Sequence, residues 1–391
     1  MTVAVVSDLE GRWDRLASSC DDHPAVSLDG DDLVLAPGAR FVYGGDVFDR
    51  GPAGRRLARA LIRAKDRYGD RVTLLAGNRD INKIRLAREL GAHPPPGAPA
   101  GPLPDRLRWI YRHTMGAADA FDHRAAELAA DGAPHDDDAV VRSVLADLEA
   151  GGVVAEYLAR AQLAARWADV LFVHGGVPDG ALGHTPAGPV DGVGRWIDAL
   201  NAWFTAQYRC FRDDPLGGER PSWWPLVAYQ MPALPSRTHP HSVVYGRNTG
   251  TGNNPALPSR AVRDALRREG VHRLVVGHTP NGDLPSVLRG ADGFTLVVAD
   301  ASYPRAATCP RLWITEGATQ ARGEAVLDDG TAGDVAIDCP ADPSVGRWTG
   351  SGHLCKGQLA DGRWLGFRFA DGYRYEQIAL APRVTDLAPA G

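Results

Sequence analysis

Residues 41 to 51 read Phe41-Val42-Tyr43-Gly44-Gly45-Asp46-Val47-Phe48-Asp49-Arg50-Gly51. The opening apolar run suits a short strand buried on both faces. Two glycines then let the backbone turn sharply, and two carboxylates and a guanidinium follow at once. In an open α/β sheet, ligands gather outside the carboxyl ends of the strands. The stretch therefore reads as a strand that delivers Asp46, Asp49 and Arg50 to a site.

The same arrangement recurs along the chain. Val3 to Val6 precedes Ser7-Asp8-Leu9-Glu10-Gly11, Val72 to Leu75 precedes Gly77-Asn78-Arg79-Asp80, and Val170 to Val173 precedes His174-Gly175-Gly176. Leu274 to Val276 precedes Gly277-His278-Thr279-Pro280, and Phe294 to Val298 precedes Asp300. Asp, Glu, Asn and His are the side chains that hold hard or borderline divalent metals. One such string is weak evidence; this series, each member behind a strand, is strong. Helices are legible between the strands: Arg55 to Tyr68 carries Leu57, Leu61, Ala64 and Tyr68 on one stripe, and a helix from Ser259 to Glu269 starts on an N-cap and stops at Gly270. The pattern predicts a layered α/β fold.

Three stretches interrupt it. Residues 92–101 are rich in Pro and Gly, and helical patterns over Pro104 to Ala130, Asp137 to Ala150 and Val153 to Trp167 follow. Residues 195–245 gather aromatics, read mainly as core of an insertion, and Val243 to Tyr245 reads as a short strand before the glycine-rich Arg247 to Gly252. From residue 320 the chain alternates in hairpin fashion with Asp-Gly turns. The expected organisation is a core over 1–91 and 168–319, a helical insertion or cap over 92–167, and a small β-rich appendage over 320–391. Gly183-His184-Thr185-Pro186 and His239-Pro240-His241 lack a preceding apolar strand and read as loops.

Composition narrows the function classes. The chain has 391 residues, enough for a large core, and its 43 basic against 48 acidic side chains leave no basic footprint for nucleic acid or an anionic membrane. No run approaches the ~20 apolar residues of a spanning helix, and no leader is evident at the N-terminus. The five cysteines, scattered and without a CxxC pair, fit free thiols in a reducing cytoplasm.

The motifs Asp8-Leu9-Glu10-Gly11, Gly45 to Gly51, Gly77 to Asp80, His174-Gly175-Gly176 and Gly277-His278 resemble those of the calcineurin-like metallophosphoesterases, and within them the PPP phosphatase branch. The resemblance spans residues 1–300 and implies a four-layered α/β/β/α sandwich with two divalent metals, one held by Asp8, Glu10 and Asp46, the other by Asp46, Asn78, His174 and His278. Mn²⁺ is the expected ion, with Mg²⁺, Fe²⁺ and Zn²⁺ as alternatives. Such a pair activates a bridging hydroxide for attack on phosphorus. Arg50 offers a planar fork to phosphate oxygens, joined by Asn78, Arg79 and, from the glycine-rich loop, Arg247.

Two positions depart from the family pattern. Glu10 stands where the family usually has His, which adds a carboxylate. Arg79 stands where the family has the His that, with an acid at the position of Asp49, protonates the leaving group. Arginine cannot be that acid; it could neutralise the phosphate or pair with Asp49. Lys83 and Arg85 add cations on the next helix start, suited to an anionic substrate or to a solvated face. Asp300 reads equally as an orienter of a ligand His or as a turn cap. The expected activity is hydrolysis of a phosphate monoester of a small metabolite. Rival readings are a serine/threonine protein phosphatase, a dinucleoside polyphosphate hydrolase, a phosphodiesterase and a non-catalytic binding module.

Overall fold

A computed structural model describes residues 1–231, 241–300, 302–382, 384 and 386–389. The chain runs β1 (Val3–Val6), α1 (Trp13–Cys20), β2 (Arg40–Tyr43), α2 (Gly54–Tyr68), β3 (Val72–Leu74) and the short α3 (Asn78–Asn82). The helices α4 (Leu103–Thr114), α5 (Ala120–Ala130), α6 (Asp137–Ala146) and α7 (Val153–Arg160) lead to β4 (Ala164–Trp167) and β5 (Val170–Val173). After the long α8 (Val193–Asp213) come α9 (Arg260–Arg268), β6 (Arg273–Val276), β7 (Ser286–Arg289) and β8 (Thr295–Val298). The chain closes with β9 (Arg311–Thr315), β10 (Ala318–Val326), β11 (Ala332–Cys339), β12 (Leu354–Leu359), β13 (Trp364–Asp371) and β14 (Arg374–Leu380).

Two sheets form. The first has the order β14-β13-β12-β11-β10-β9-β1-β2-β3, the second β7-β8-β6-β5-β4. The pairs β1–β2, β2–β3, β5–β6 and β6–β8 are parallel. Alternate side chains point to opposite faces of a strand, and here both faces are buried. Val3, Val5, Val42, Phe172 and Val275 pack in the core between the sheets. Their neighbours Ala4, Val6, Phe41, Tyr43, Leu171, Val173, Leu274 and Val276 pack outward with Leu57, Leu61 and Leu266 of the covering helices. This is the expected helix-sheet-sheet-helix layering. The Ser259 hydroxyl caps α9 by accepting from Val262 N–H at 3.4 Å. Among the described residues no helix is long and apolar enough to cross a membrane.

Several expectations need correction. The pattern over 104–130 is two helices, broken near Gly116, whose φ is +60°. Residues 164–167 are not the end of a helix but β4, an edge strand of the second sheet paired antiparallel with β5. Val243 to Tyr245 is a turn, because the Ser242 hydroxyl accepts from both Val244 and Tyr245 N–H at 3.1 Å. The C-terminal strands do not stand apart as an appendage beginning at 320. They continue the first sheet, since β9 pairs antiparallel with β1 and β10 with β9. The strands β7 and β9 and the hairpin of Val26–Asp29 with Asp32–Leu35 were not anticipated. His239 and Pro240, with part of the aromatic stretch 195–245, lie outside the described residues; Trp196, Phe204 and Trp223 of that stretch are buried in the core. His184 is exposed, its ring 5.3 Å from that of His241.

The C-terminal strands also clamp a loop that leads from the site. Lys356 on β12 is fully buried, donates to the carbonyls of Asn281 and Leu284, and lies 4.1 Å from the centre of the Phe367 ring. Burial lowers its pKa from the ordinary 10.5 to about 7, with the charge of Asp283 opposing. Between those two values the unfolded chain holds a proton that the folded one does not, so this residue's contribution to stability rises with pH there and is flat below. Urea unfolding from pH 7 to 10 should therefore show wild type gaining on Lys356→Met by at most about 1.4 kcal/mol per pH unit. A difference independent of pH would contradict this.

Candidate metal centre

The loops after β1, β2, β3, β5 and β6 converge at one end of the sandwich. Asp8, Glu10, Asp46 and His278 adopt φ of 57°, 49°, 57° and 62°, and Asp49 a φ of 100°. Side chains other than Gly enter this left-handed region at a cost, and such strain concentrates at functional sites. Hydrogen bonds hold the loops there. Asp8 N–H donates to Gly45 O at 3.1 Å and Glu10 N–H to Asp46 O at 3.0 Å. The buried Asp80 carboxylate accepts from Asp46 N–H (2.9 Å), Val47 N–H (2.8 Å) and Gly77 N–H (2.8 Å), tying the second loop to the third.

Ligand atoms of Asp46, His174 and His278 lie within 4.8 Å of one another, and all three residues are buried. His174 Nδ1 is 2.7 Å from Gly44 O, which fixes the proton on Nδ1 and leaves the Nε2 lone pair facing inward. That nitrogen faces Asn78 Oδ1 at 3.3 Å and Asp46 Oδ1 at 3.4 Å. Three lone-pair donors aimed at one point repel unless a cation lies between them. His278 Nε2 is buried without a hydrogen-bond partner among the described residues. Burial, then the positive charge of Arg247 and more weakly of Arg79, hold the His278 imidazole well below its usual pKa, so the ring is neutral. A neutral imidazole, a carboxylate and an amide oxygen suit a divalent metal, and the residues fit one ion.

The other expected ligands are engaged differently. Asp8 is buried, accepts from Ser7 Oγ–H, and faces His278 N–H at 3.1 Å. Burial, with Asp300 and Asp46 next, pushes its carboxyl well above the carboxylate range. Glu10 is not free for a metal: Arg79 Nε donates to Oε1 at 2.6 Å and Arg50 Nε lies 3.0 Å from Oε2. Burial pushes Glu10 up, to about 8, against the pull of Arg79 and then Arg50. Burial opposes the charge on Arg79, but Glu10, Asp46 and Asp49 outweigh it and raise the guanidinium pKa, so the arginine stays charged. Asp49 does not line the cleft; it is 2.5 Å from Lys83 Nζ and 3.7 Å from Arg79 Nη1, both within the protein. Lys83 and Arg85 are buried rather than solvated, Arg85 pairing with Glu89 at 2.9 Å. Asp300 caps a turn, accepting from Ser302 N–H at 2.7 Å.

Above Asp46, Asn78 and His278 opens a cleft of about 510 Å³. Asn78, Arg50, Arg79 and Arg247 line it. Arg112 and Met115 from the helical segment, and Tyr245, Tyr303 and Tyr373, were not anticipated. Arg50 stacks 4.3 Å from the centre of the Tyr303 ring, and Arg247 lies 5.5 Å from Tyr373 while its Nη1 donates to Thr279 Oγ1 at 3.3 Å. No local motif signals these tyrosines, because Tyr303 follows a strand and Tyr373 sits in the turn between β13 and β14.

The close approach of the loops makes Gly77 indispensable. A Cβ there would lie 2.1 Å from Asp46 Oδ1 and 2.4 Å from Asp46 N. Gly77→Ala should displace the carboxylate and lower turnover by about 10²-fold or more; near-normal kinetics would refute the packing described.

A family model described as calcineurin-like phosphoesterase matches residues 1–282. No curated protein matches the chain in sequence. Among solved structures, the chain is similar to a cold-active protein-tyrosine phosphatase of a psychrophilic Shewanella species at 18% identity, covering 85% of this chain and 80% of that one, with TM-score 0.43. A protein serine/threonine phosphatase from Saccharomyces cerevisiae is similar at 13% identity, over 81% and 73% of the two chains, TM-score 0.39. A metallophosphoesterase from Sphaerobacter thermophilus is similar at 12% identity, over 88% and 85%, TM-score 0.28. At these values none of the three speaks to what this chain acts on.

Proposed function

The chain belongs to the calcineurin-like phosphoesterase family of metal-dependent phosphoric ester hydrolases, and from that premise we propose that it removes phosphate from a small phosphorylated metabolite. The observation that carries the proposal is the convergence of Asp46, His174 and His278 beneath a cleft lined by arginines. A bound divalent ion lowers the pKa of water and offsets charge on the phosphoryl oxygens, and Mn²⁺ is the ion we propose. Asp46, Asn78, His174 and His278 would hold it. Arg50, oriented by Glu10 and Tyr303, and Arg247 offer guanidinium forks to the phosphoryl oxygens. Asp8 would steady the His278 loop through its backbone amide. A cleft of about 510 Å³ suits a small molecule better than an extended peptide, and Arg112 from the helical segment adds a further charge to its wall.

One observation favours a second reading. Arg79 is locked to Glu10 and Asp49 to Lys83, so neither is poised to protonate a leaving group. A nucleotide leaving group, as in a dinucleoside polyphosphate, needs no such proton, and Tyr303 and Tyr373 offer exposed rings at the cleft. Inorganic phosphate released from phosphosugars, nucleotides and phosphopeptides, nucleotides released from diadenosine polyphosphates, and p-nitrophenol released from p-nitrophenyl phosphate against its bis ester together separate these readings. Highest kcat/KM on a small monoester is the expected result. Preference for phosphopeptides or the diester would overturn the substrate class.

A further inference from the structure

Two ion positions are expected from the sequence, and at one of them, assigned to Asp8, Glu10 and Asp46, the Glu10 and Asp46 carboxylates face the Arg79 guanidinium. Glu10 and Arg79, the two departures from the motif pattern, meet each other. Arg79 Nε donates to Glu10 Oε1 at 2.6 Å and lies 3.7 Å from Asp46 Oδ2. Arg50 takes the other Glu10 oxygen at 3.0 Å. Asp46 thereby divides its carboxylate: Oδ1 turns to His174 Nε2 at 3.4 Å, while Oδ2 turns to the guanidinium. The Arg79 side chain is 11% exposed and that of Glu10 7%.

We propose that the Arg79 guanidinium stands in for one of the two metal ions, so that this protein binds a single divalent ion at Asp46, Asn78, His174 and His278. An ion at Asp8, Glu10 and Asp46 would have to break both ion pairs of a buried carboxylate. It would also sit against an arginine whose charge cannot be titrated away. The substitutions are complementary: each alone loses its closest partner, leaving Glu10 with Arg50 only and Arg79 with the looser contacts to Asp46 and Asp49, whereas together they make a close ion pair. The arginine balances the Asp46 carboxylate without exchanging with solvent. It supplies no water for activation, which leaves that task to the remaining ion. The inference rests on the phosphoesterase reading but concerns ion number, which is measured apart from turnover.

The test uses the full chain, stripped with chelator, equilibrated with Mn²⁺ and desalted. Elemental analysis should give one Mn²⁺ per chain, with the resolved hyperfine EPR pattern of an isolated ion. The double variant Glu10→His/Arg79→His should bind a second equivalent and give the spectrum of an exchange-coupled pair. Two equivalents with a coupled spectrum in the wild type, or no bound Mn²⁺, would overturn the proposal. Should the double variant fail to fold by circular dichroism, the wild-type stoichiometry and spectrum still decide. Phosphate release is read on the same samples: one ion without turnover on any substrate sinks the function and spares the stoichiometry, whereas two ions with turnover do the reverse.

Discussion

Asp46→Asn should lower metal-dependent phosphate release by about 10³-fold or more, because it neutralises the carboxylate on which the proposed ion site is centred. Asp46 meets His174 Nε2 at 3.4 Å and the Arg79 backbone N–H at 2.9 Å through one oxygen, and the Arg79 guanidinium through the other. Asparagine keeps the shape and an accepting oxygen, so the loop bonds from Asp46 N–H to Asp80 and from Glu10 N–H to Asp46 O persist. The lost charge also relieves its neighbours: after burial, Asp46 is the next contributor pushing Asp80 up, to about 8, and it follows burial and Asp300 in raising Asp8. The metal-free variant should therefore melt at or above the wild-type temperature while its Mn²⁺ affinity falls. That combination separates a site defect from misfolding. A variant that melts normally yet retains more than about a tenth of wild-type turnover would remove Asp46 from the mechanism.

The second large effect is on stability. Lys83→Met should destabilise the metal-free protein by about 3–5 kcal/mol, since breaking one partner of a buried pair leaves the other charge uncompensated. Lys83 Nζ is 2.5 Å from Asp49 Oδ2, and the side chains are 6% and 4% exposed. Burial lowers the Lys83 pKa and Asp49 opposes that shift. Arg79 Nη1 at 3.7 Å from the same Asp49 oxygen softens the loss, which places the expected value toward the lower end. Lys83→Met/Asp49→Asn should recover most of it, because no unpaired charge remains. Urea denaturation of the three proteins is the measurement. Equal losses in the single and double variants would mean that the cost lies in packing rather than charge.

The fold was legible where one residue type dominates locally. β1, β2, β5 and β6 are short apolar runs that stop at a polar residue, and the α2 stripe of Leu57, Leu61 and Ala64 is buried as its spacing requires. β9 escaped notice because its reason to be a strand is the edge of β1, far away in sequence. β4 was read as helix because four residues cannot distinguish the two periods. For the site, the convergence of Asp46, His174 and His278 was readable because each stands just behind a strand. The Glu10–Arg79 and Asp49–Lys83 pairs were not: their partners come from different loops, 69 and 34 residues apart in sequence. Read one at a time, Glu10 resembles a ligand and Arg79 a phosphate binder. Only their apposition turns both into structural charges. The cleft tyrosines were hidden for the same reason, being gathered by the sheet and not by spacing.

The central claim, that Asp46, Asn78, His174 and His278 form a metal site that hydrolyses phosphate esters, is tested most directly by phosphate release from one protein sample in two states. The sample is assayed after chelator treatment and desalting, then again after Mn²⁺ is restored, on p-nitrophenyl phosphate and the metabolite panel. Release that is absent in the stripped protein and returns with Mn²⁺ is the predicted result. Release unchanged by stripping, or none on any substrate with Mn²⁺ bound, would contradict it.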